Sequence, residues 1–418
     1  PHHPREEAIR PLSPGPEKRA EPTLPLLELP SGAKFAVAID LGTTRSSVAT
    51  VIDGRVSMLR LPGGDWDIPS VVGFRADRTV VVGNAARRML STDVANVIVS
   101  PKRLLGRRMD EPALGPYLAR LGMKATAGPR NEIVLHARGH QLSVTEACAH
   151  LLKLLRLVAE HNLGRPVREV IMTIPATAGD RQVRALSDAA AQASLRVIEF
   201  LQEPVSAAMA CIFDDACRGL IAIYDFGGGT FDFSIVDLAG EAMEVVATSG
   251  DSWLGGDDFD AALAGAAANA CWQQHRVELR HQAQYWQALL VAAERAKCAL
   301  SEEEETVLRL PGVLRSSAGE ADFEFSVTRK AFAKMTKGIV DRSLETCQEA
   351  LASAHIGPED LSAIYLSGGT SYIPAVREGV AAFFGREPRT VVPPERMVVL
   401  GAAVHGALMG SPEDAEAS

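Results

Sequence analysis

Residues 220–238 read LIAIYDFGGGTFDFSIVDL. The apolar run from Leu220 to Tyr224 is short enough for one buried strand, and Asp225 closes it. Gly227, Gly228 and Gly229 then make a turn, where glycine tolerates positive φ and lets backbone amides approach a ligand. Thr230 and Asp232 follow, and FDFSIVDL returns as a second strand. A carboxylate, a phosphate-sized glycine turn and a hydroxyl this close together point to magnesium and a nucleotide. Taken by itself, the stretch also reads as an ordinary hairpin with a flexible tip.

A second stretch removes much of that ambiguity. FAVAIDLGTTRSSVATVIDG, from Phe35 to Gly54, repeats the pattern: apolar strand, Asp40, one apolar residue, then a turn of Gly42, Thr43 and Thr44. The return strand runs from Ser46 to Ile52. A repeat at this separation implies two related lobes, not a solenoid. Two hairpins facing each other across a cleft can hold a triphosphate from both sides. Asp40 and Asp225 would then meet at a magnesium ion, acting largely through its waters.

Between and beyond the hairpins, strands alternate with helices, which means an α/β layout. The spacing predicts a long helix after Ser143, with Ser143 and Glu146 forming a capping box and Gly164 closing it. A strand ends at Pro175, a helix runs from Asp180 to Ala193, and another helix begins at Glu203. After a glycine loop at Gly255 and Gly256, a helix starts near Asp257, where acids favour the helix dipole. Residues 284–300 form an amphipathic helix that places Glu294, Lys297, Cys298 and Ser301 on one face. SVTRKAFAKMTKGIVDRSLETCQEALASAHI, residues 326–356, reads as a helix pair. LSAIYLSGGTSYIPAVREGVAAFFG reads as strand, glycine turn and helix, and ERMVVLGAAVHGALMG as a last helix.

The chain has 418 residues, enough for two or three domains. Its hydrophobic fraction of 47% and mean hydropathy of +0.04 are ordinary for a globular protein. A net charge of −9 and the lack of a basic arm argue against nucleic acid. No apolar run approaches the roughly 20 residues of a membrane helix, so no membrane association is expected. Six scattered cysteines without a CxxC pair suggest reduced thiols and a cytoplasmic location. His136 and His140 fall in a strand pair and are too far apart to share an ion. The arginines of the cluster Lys102, Arg103, Arg107 and Arg108 read as a solvated face, as do Glu302 to Glu305. Residues 1–33, rich in proline and lacking periodicity, read as a disordered tail without a signal peptide.

Together these residues resemble the nucleotide-binding part of the seventy-kilodalton heat-shock chaperones (the DnaK-like branch of the actin and sugar-kinase superfamily). The motifs that carry the resemblance are AIDLGTTRSSV, SPKRLLGRR, IPATAGD with QEPVSAA, YDFGGGTFDFS with SGDSWLGGDDFD, and LSGGTSYIP with VLGAAV. They occur in that order over about residues 34–410. The resemblance implies a two-lobed actin-like ATPase fold of duplicated ribonuclease-H-like domains with a nucleotide cleft between the lobes. Lobe I would cover 34–217, with 391–410 packing back on it, and lobe II 218–390. Residues 411–418 would be a tail, with no peptide-binding domain present.

The resemblance also implies roles, residue by residue. Asp40, Gly42, Thr43 and Thr44 would form the first phosphate hairpin, and Gly227, Gly228, Gly229 and Thr230 the second. Asp40 and Asp225 would hold magnesium through water. Lys102 would touch the γ-phosphate and the attacking water, and Glu203 and Asp232 would complete the polar site. Either Asp225 or Asp232 would orient that water. Gly255, Gly256, Glu294, Lys297, Cys298 and Ser301 would meet the adenosine of ATP or ADP from one side. Gly368, Gly369, Thr370, Tyr372 and Glu395 would approach it from the other.

Phosphoryl transfer of this kind depends on positioning and charge neutralisation more than on a strong base. The implied function is slow, magnesium-dependent ATP hydrolysis coupled to lobe opening and to protein folding under stress. The protein would act as a monomer, with a J-domain protein and a nucleotide-exchange factor as partners. A nucleotide-sensing module with little turnover and an actin-like filament subunit are the alternatives. Departures from the family pattern favour weight on the sensor. Cys298 and Tyr372 stand where the family has adenine-stacking arginines, and Cys298 cannot stack. Val183, with Arg184 beside it, stands where a relay to Pro175 has arginine. Arg45 replaces a tyrosine and is a candidate extra phosphate contact.

Overall fold

The computed structural model describes residues 37–409 apart from 53, 62, 119, 120, 241, 242, 317 and 318. The expected tails at 1–33 and 411–418 lie outside the described residues. The first hairpin is β1 (Val37–Leu41) and β2 (Arg45–Ile52), antiparallel with Asp40 opposite Ser47. β3 (Arg55–Met58) continues the meander, and the short strand Asp67–Pro69 also pairs with β2. On the other side of β1 lie two parallel strands, β4 (Glu169–Ile174) and then β5 (Arg196–Gln202). The sheet order is therefore β5-β4-β1-β2-β3.

The second sheet repeats this plan. β6 (Leu220–Phe226) and β7 (Phe231–Asp237) form the hairpin, with Asp225 opposite Asp232. β8 (Glu244–Asp251) extends it antiparallel, and β9 (Ala363–Ser367) lies parallel to β6. The order β8-β7-β6-β9 matches β3-β2-β1-β4 strand for strand. A duplicated α/β unit is thus visible in topology, and the two hairpins occupy equivalent places in it.

Helices cover the sheets as α/β packing requires. α1 (Val144–Leu163) begins as its sequence dictates: Ser143 Oγ accepts from Glu146 N–H at 3.1 Å, and the Glu146 carboxylate accepts from Ser143 N–H at 2.6 Å. Gly164, at φ 64°, ends it in the left-handed region. α2 (Asp180–Gln192) and α3 (Glu203–Cys211) follow in lobe I, and α4 (Gly256–His275) and α5 (Ala283–Glu302) in lobe II.

The stretch expected to be two helices is one, α6 (Arg329–Ala354), 26 residues long and capped by Thr328. Gly338 sits inside it with open space where a Cβ would be, so it weakens the helix without breaking it. α7 (Pro374–Phe384) and α8 (Met397–Met409) complete the fold.

Each lobe has its own core. Ile39, Val48, Leu151, Leu155 and Met172 are buried in the first, and Tyr224, Phe226, Phe231, Phe233 and Phe259 in the second. A third cluster of smaller residues joins them, with Ala38, Ala207, Ile221, Ile223, Tyr365 and Ala403 in one packed layer. In that layer α8 returns from the far end of the chain to pack on α3, β1 and β2. The crossing is close: a Cβ added at Gly401 would overlap the Ser206 carbonyl.

Candidate functional site

The two glycine turns meet at the floor of the cleft. A Cβ on Gly228 would overlap the Thr44 side chain, so the jaws approach within the width of one methyl group. Each turn is braced from behind. In the first, Ser70 Oγ donates to Gly42 O at 2.8 Å and lies 2.9 Å from Ser46 Oγ. In the second, Gly256 and Asp257 donate their N–H groups to Gly227 O and Gly228 O at 3.1 and 2.7 Å. Thr370 Oγ1 donates to Gly227 O at 2.9 Å. Gly368, at φ 78°, passes so close to Phe226 that no side chain fits.

Behind the turns lies a cluster of acids around one base. Lys102 sits on the short turn Pro101–Leu104 and donates from Nζ to Glu203 Oε1 at 3.0 Å. Both side chains are largely buried, at 13% and 15% exposure. Burial alone would lower the Lys102 pKa, but Glu203 and Asp40 more than offset it, and the ammonium is held above its ordinary range. Asp40 accepts from Thr173 Oγ1 at 2.7 Å. Burial pushes its carboxyl up to about 6 against the pull of Lys102. Burial, with Glu203 next in weight, pushes Asp232 to about 7. Asp225 is raised well above the carboxylate range by burial and by its acidic neighbours.

Four carboxyl groups thus share one lysine. The missing positive charge is what a divalent cation would supply. Hard oxygen donors in this number suit magnesium, and Thr44 Oγ1 is buried without a partner, as an intended phosphate contact would be. Among the described residues, no three His, Cys, Asp or Glu side chains converge as a direct metal site.

The helix face expected to meet adenosine is assembled, though partly committed to other contacts. Lys297 Nζ donates to Asp260 Oδ2 at 3.0 Å and to Gly256 O at 3.1 Å. Glu294 is bonded across the cleft by Arg87 of lobe I. Ser301 Oγ donates to Lys297 O at 3.4 Å. Cys298 is exposed, and Tyr372 is 42% exposed beside Glu395. Gly369 lies against Glu395, whose Oε2 is buried without a partner. Arg45, a candidate phosphate contact, is instead bonded to Asp67.

A cavity of about 640 Å³ opens beside the acid cluster. Lys102, Thr43, Thr230, Asp232, Pro175, Val183 and Arg184 all line it.

Four side chains escaped the sequence reading. Arg103, expected on a solvated face, has a side chain only 7% exposed. It bonds Asp257 at 3.0 Å and stands over the rings of Tyr117 and Trp253, 5.7 and 5.5 Å from their centroids. Tyr117 and Trp253 touch across the cleft with centroids 5.6 Å apart. Asp260 is the fourth, as the partner of Lys297. Only the acidic start of α4 hinted at any of these.

A family model described as "Hsp70 protein" matches residues 36–417. The mitochondrial 70 kDa heat-shock protein of Dictyostelium discoideum is 35% identical over 373 residues, which is 89% of this chain and 57% of that protein. The chain therefore spans a little over half the length of this relative. The expected cytoplasmic location is overturned by this finding, because the similar protein is a mitochondrial one. The argument for the cytoplasm rested on unpaired cysteines, and reduced thiols do not distinguish one reducing compartment from another.

Proposed function

The chain belongs to the Hsp70 family of ATP-binding chaperones, and on that premise we propose that its cleft binds ATP and ADP with magnesium and hydrolyses ATP slowly. The observation that carries this reading is the acid cluster around Lys102, placed behind two glycine turns that meet at Thr44 and Gly228. Asp40 and Asp225 are the residues to hold magnesium, and the ion supplies the positive charge that phosphoryl transfer requires. Gly42, Thr43, Gly227, Gly229 and Thr230 hold the phosphates through backbone amides and hydroxyls. Lys102 neutralises charge that develops on the γ-phosphate, and Glu203 fixes its ammonium. Asp232, raised to about 7, is poised to accept a proton from the attacking water near neutral pH.

Lobes divided at 34–217 with 391–410, and at 218–390, belong to the same reading, which the two separate cores support. Nucleotide state would then set lobe closure through the contacts that cross the cleft, Arg87–Glu294 and Arg103–Asp257. In that scheme a monomer works with a J-domain protein and an exchange factor. A sensor with little turnover is the second reading, favoured by exposed Cys298, which offers no stacking surface for a base.

Calorimetric titration with ATP and ADP plus magnesium, and single-turnover hydrolysis on the same sample, test both. Binding with hydrolysis that Lys102→Ala abolishes supports the motor. Binding without hydrolysis supports the sensor, and absence of binding refutes both.

A further inference from the structure

The crossover between the lobes carries a chemical group that the nucleotide reading does not use. α3 ends at Cys211, and the chain turns through residues 212–219 before entering β6. The turn is tight: Asp214 N–H donates to Cys211 O and Cys217 N–H to Asp214 O, both at 2.8 Å. It brings Cys217 back beside Cys211 in the cluster that joins the lobes, where the Cys211 thiol donates to Ala207 O at 3.3 Å.

The turn is also anchored. The Asp214 carboxylate accepts from Arg389 Nε and Nη2 at 2.7 and 2.8 Å and from Tyr365 Oη at 3.1 Å. Cys211 is fully buried and Cys217 half-exposed. Of the other cysteines, Cys148, Cys271 and Cys347 are buried, and Cys298 is exposed.

We propose that Cys211 and Cys217 form a thiol–disulfide switch at the lobe crossover, with Cys217 as the attacking thiol, Cys211 as the resolving thiol and a low-molecular-weight disulfide as oxidant. The Cys217 thiolate attacks one sulfur of the small disulfide, whose S–S bond breaks to release one thiolate. Cys211 then attacks the Cys217 sulfur. The mixed disulfide breaks, the second small thiolate leaves, and it takes the proton from Cys211. The protein loses two electrons and two protons, and the oxidant becomes two thiols.

Two features of the site assign these roles. The half-exposed sulfur is the one an oxidant reaches. The neighbouring Cys211 thiol also holds that of Cys217 below its ordinary range, whereas burial holds Cys211 well above. The product ties the end of α3 to the segment entering lobe II, at the point both lobes share.

The test is intact mass and peptide mapping of the full chain after incubation with oxidised glutathione, on wild type and on Cys211→Ser. Wild type should lose two hydrogens in a Cys211–Cys217 crosslink that dithiothreitol reverses. Cys211→Ser should stop at a glutathione adduct on Cys217. A wild-type product modified only at Cys298, or a stable adduct on Cys217 without the crosslink, overturns the proposal. Both readouts on wild type are independent of nucleotide, so they stand whatever the cleft binds.

Discussion

Replacing Asp232 with asparagine should make the nucleotide-free protein more stable, and more so as pH rises. Asp232 is an ordinary carboxyl near 3.8 when unfolded and is raised to about 7 in the fold, first by burial and then by Glu203. A raised acid binds more protons folded than unfolded between those values, so stability falls as pH climbs through that window. Each pK unit corresponds to about 1.4 kcal/mol, which sets a ceiling of about 4 kcal/mol above pH 7. Water entering the open cleft screens part of this, and we expect a gain of about 2 kcal/mol for Asp232→Asn at pH 8, with almost none at pH 4. Asparagine keeps the shape and removes the charge. Urea unfolding followed by circular dichroism, in EDTA at pH 4, 6 and 8, measures the gain. With magnesium and ATP the order should narrow, because the wild-type carboxylate then has a cation nearby. A variant no more stable than wild type at pH 8, or a gain that does not change with pH, refutes the account of an anion-crowded site.

Lys102→Ala should cut single-turnover hydrolysis by about a hundredfold or more while ATP still binds, since one preorganised charge is removed from the transition state; unchanged turnover would remove Lys102 from the chemistry. The same variant leaves Glu203 buried without its partner and should lose about 3 kcal/mol of stability in urea at pH 8, and a loss below 1 kcal/mol at that pH would show the pair to be solvated. Cys298→Arg should tighten ATP and ADP about fivefold by calorimetry, the equivalent of about 1 kcal/mol from a cation over the base; equal affinity would place the base elsewhere. Gly401→Ala should destabilise by about 2 kcal/mol in urea, because its methyl group meets the Ser206 carbonyl of α3; a neutral result would mean that α8 shifts freely.

What could be read from the sequence was local chemistry repeated twice. Asp40 with Gly42 and Asp225 with Gly227 announce themselves because a strand, an acid and a glycine turn are contiguous, and the duplicated sheets have the same strand order. The capping box at Ser143 was legible for the same reason. Contacts made across the cleft were not. Arg103 looked like one of several surface arginines, and only the approach of Asp257, Tyr117 and Trp253 from distant parts of the chain buries it. Lys102 needed the family pattern to stand out, since Glu203, its partner, lies on another element. The stretch 326–356, read as a helix pair, is the single helix α6, whose buried residues Phe332, Val340, Cys347 and Leu351 pack along its whole length.

The return of α8 to the first sheet has a consequence for how the protein is made. A ribosome delivers β1 and β2 early, but the helix that covers them against α3 emerges only after all of lobe II. Until then the first sheet lacks the side that Val399, Ala402 and Ala403 bury. The second core, built from β6 to α7, is by contrast contiguous and can close as soon as it leaves the exit tunnel. The later-made half is therefore expected to reach native structure first. The earlier-made half waits, with an apolar face open, for α8 to emerge.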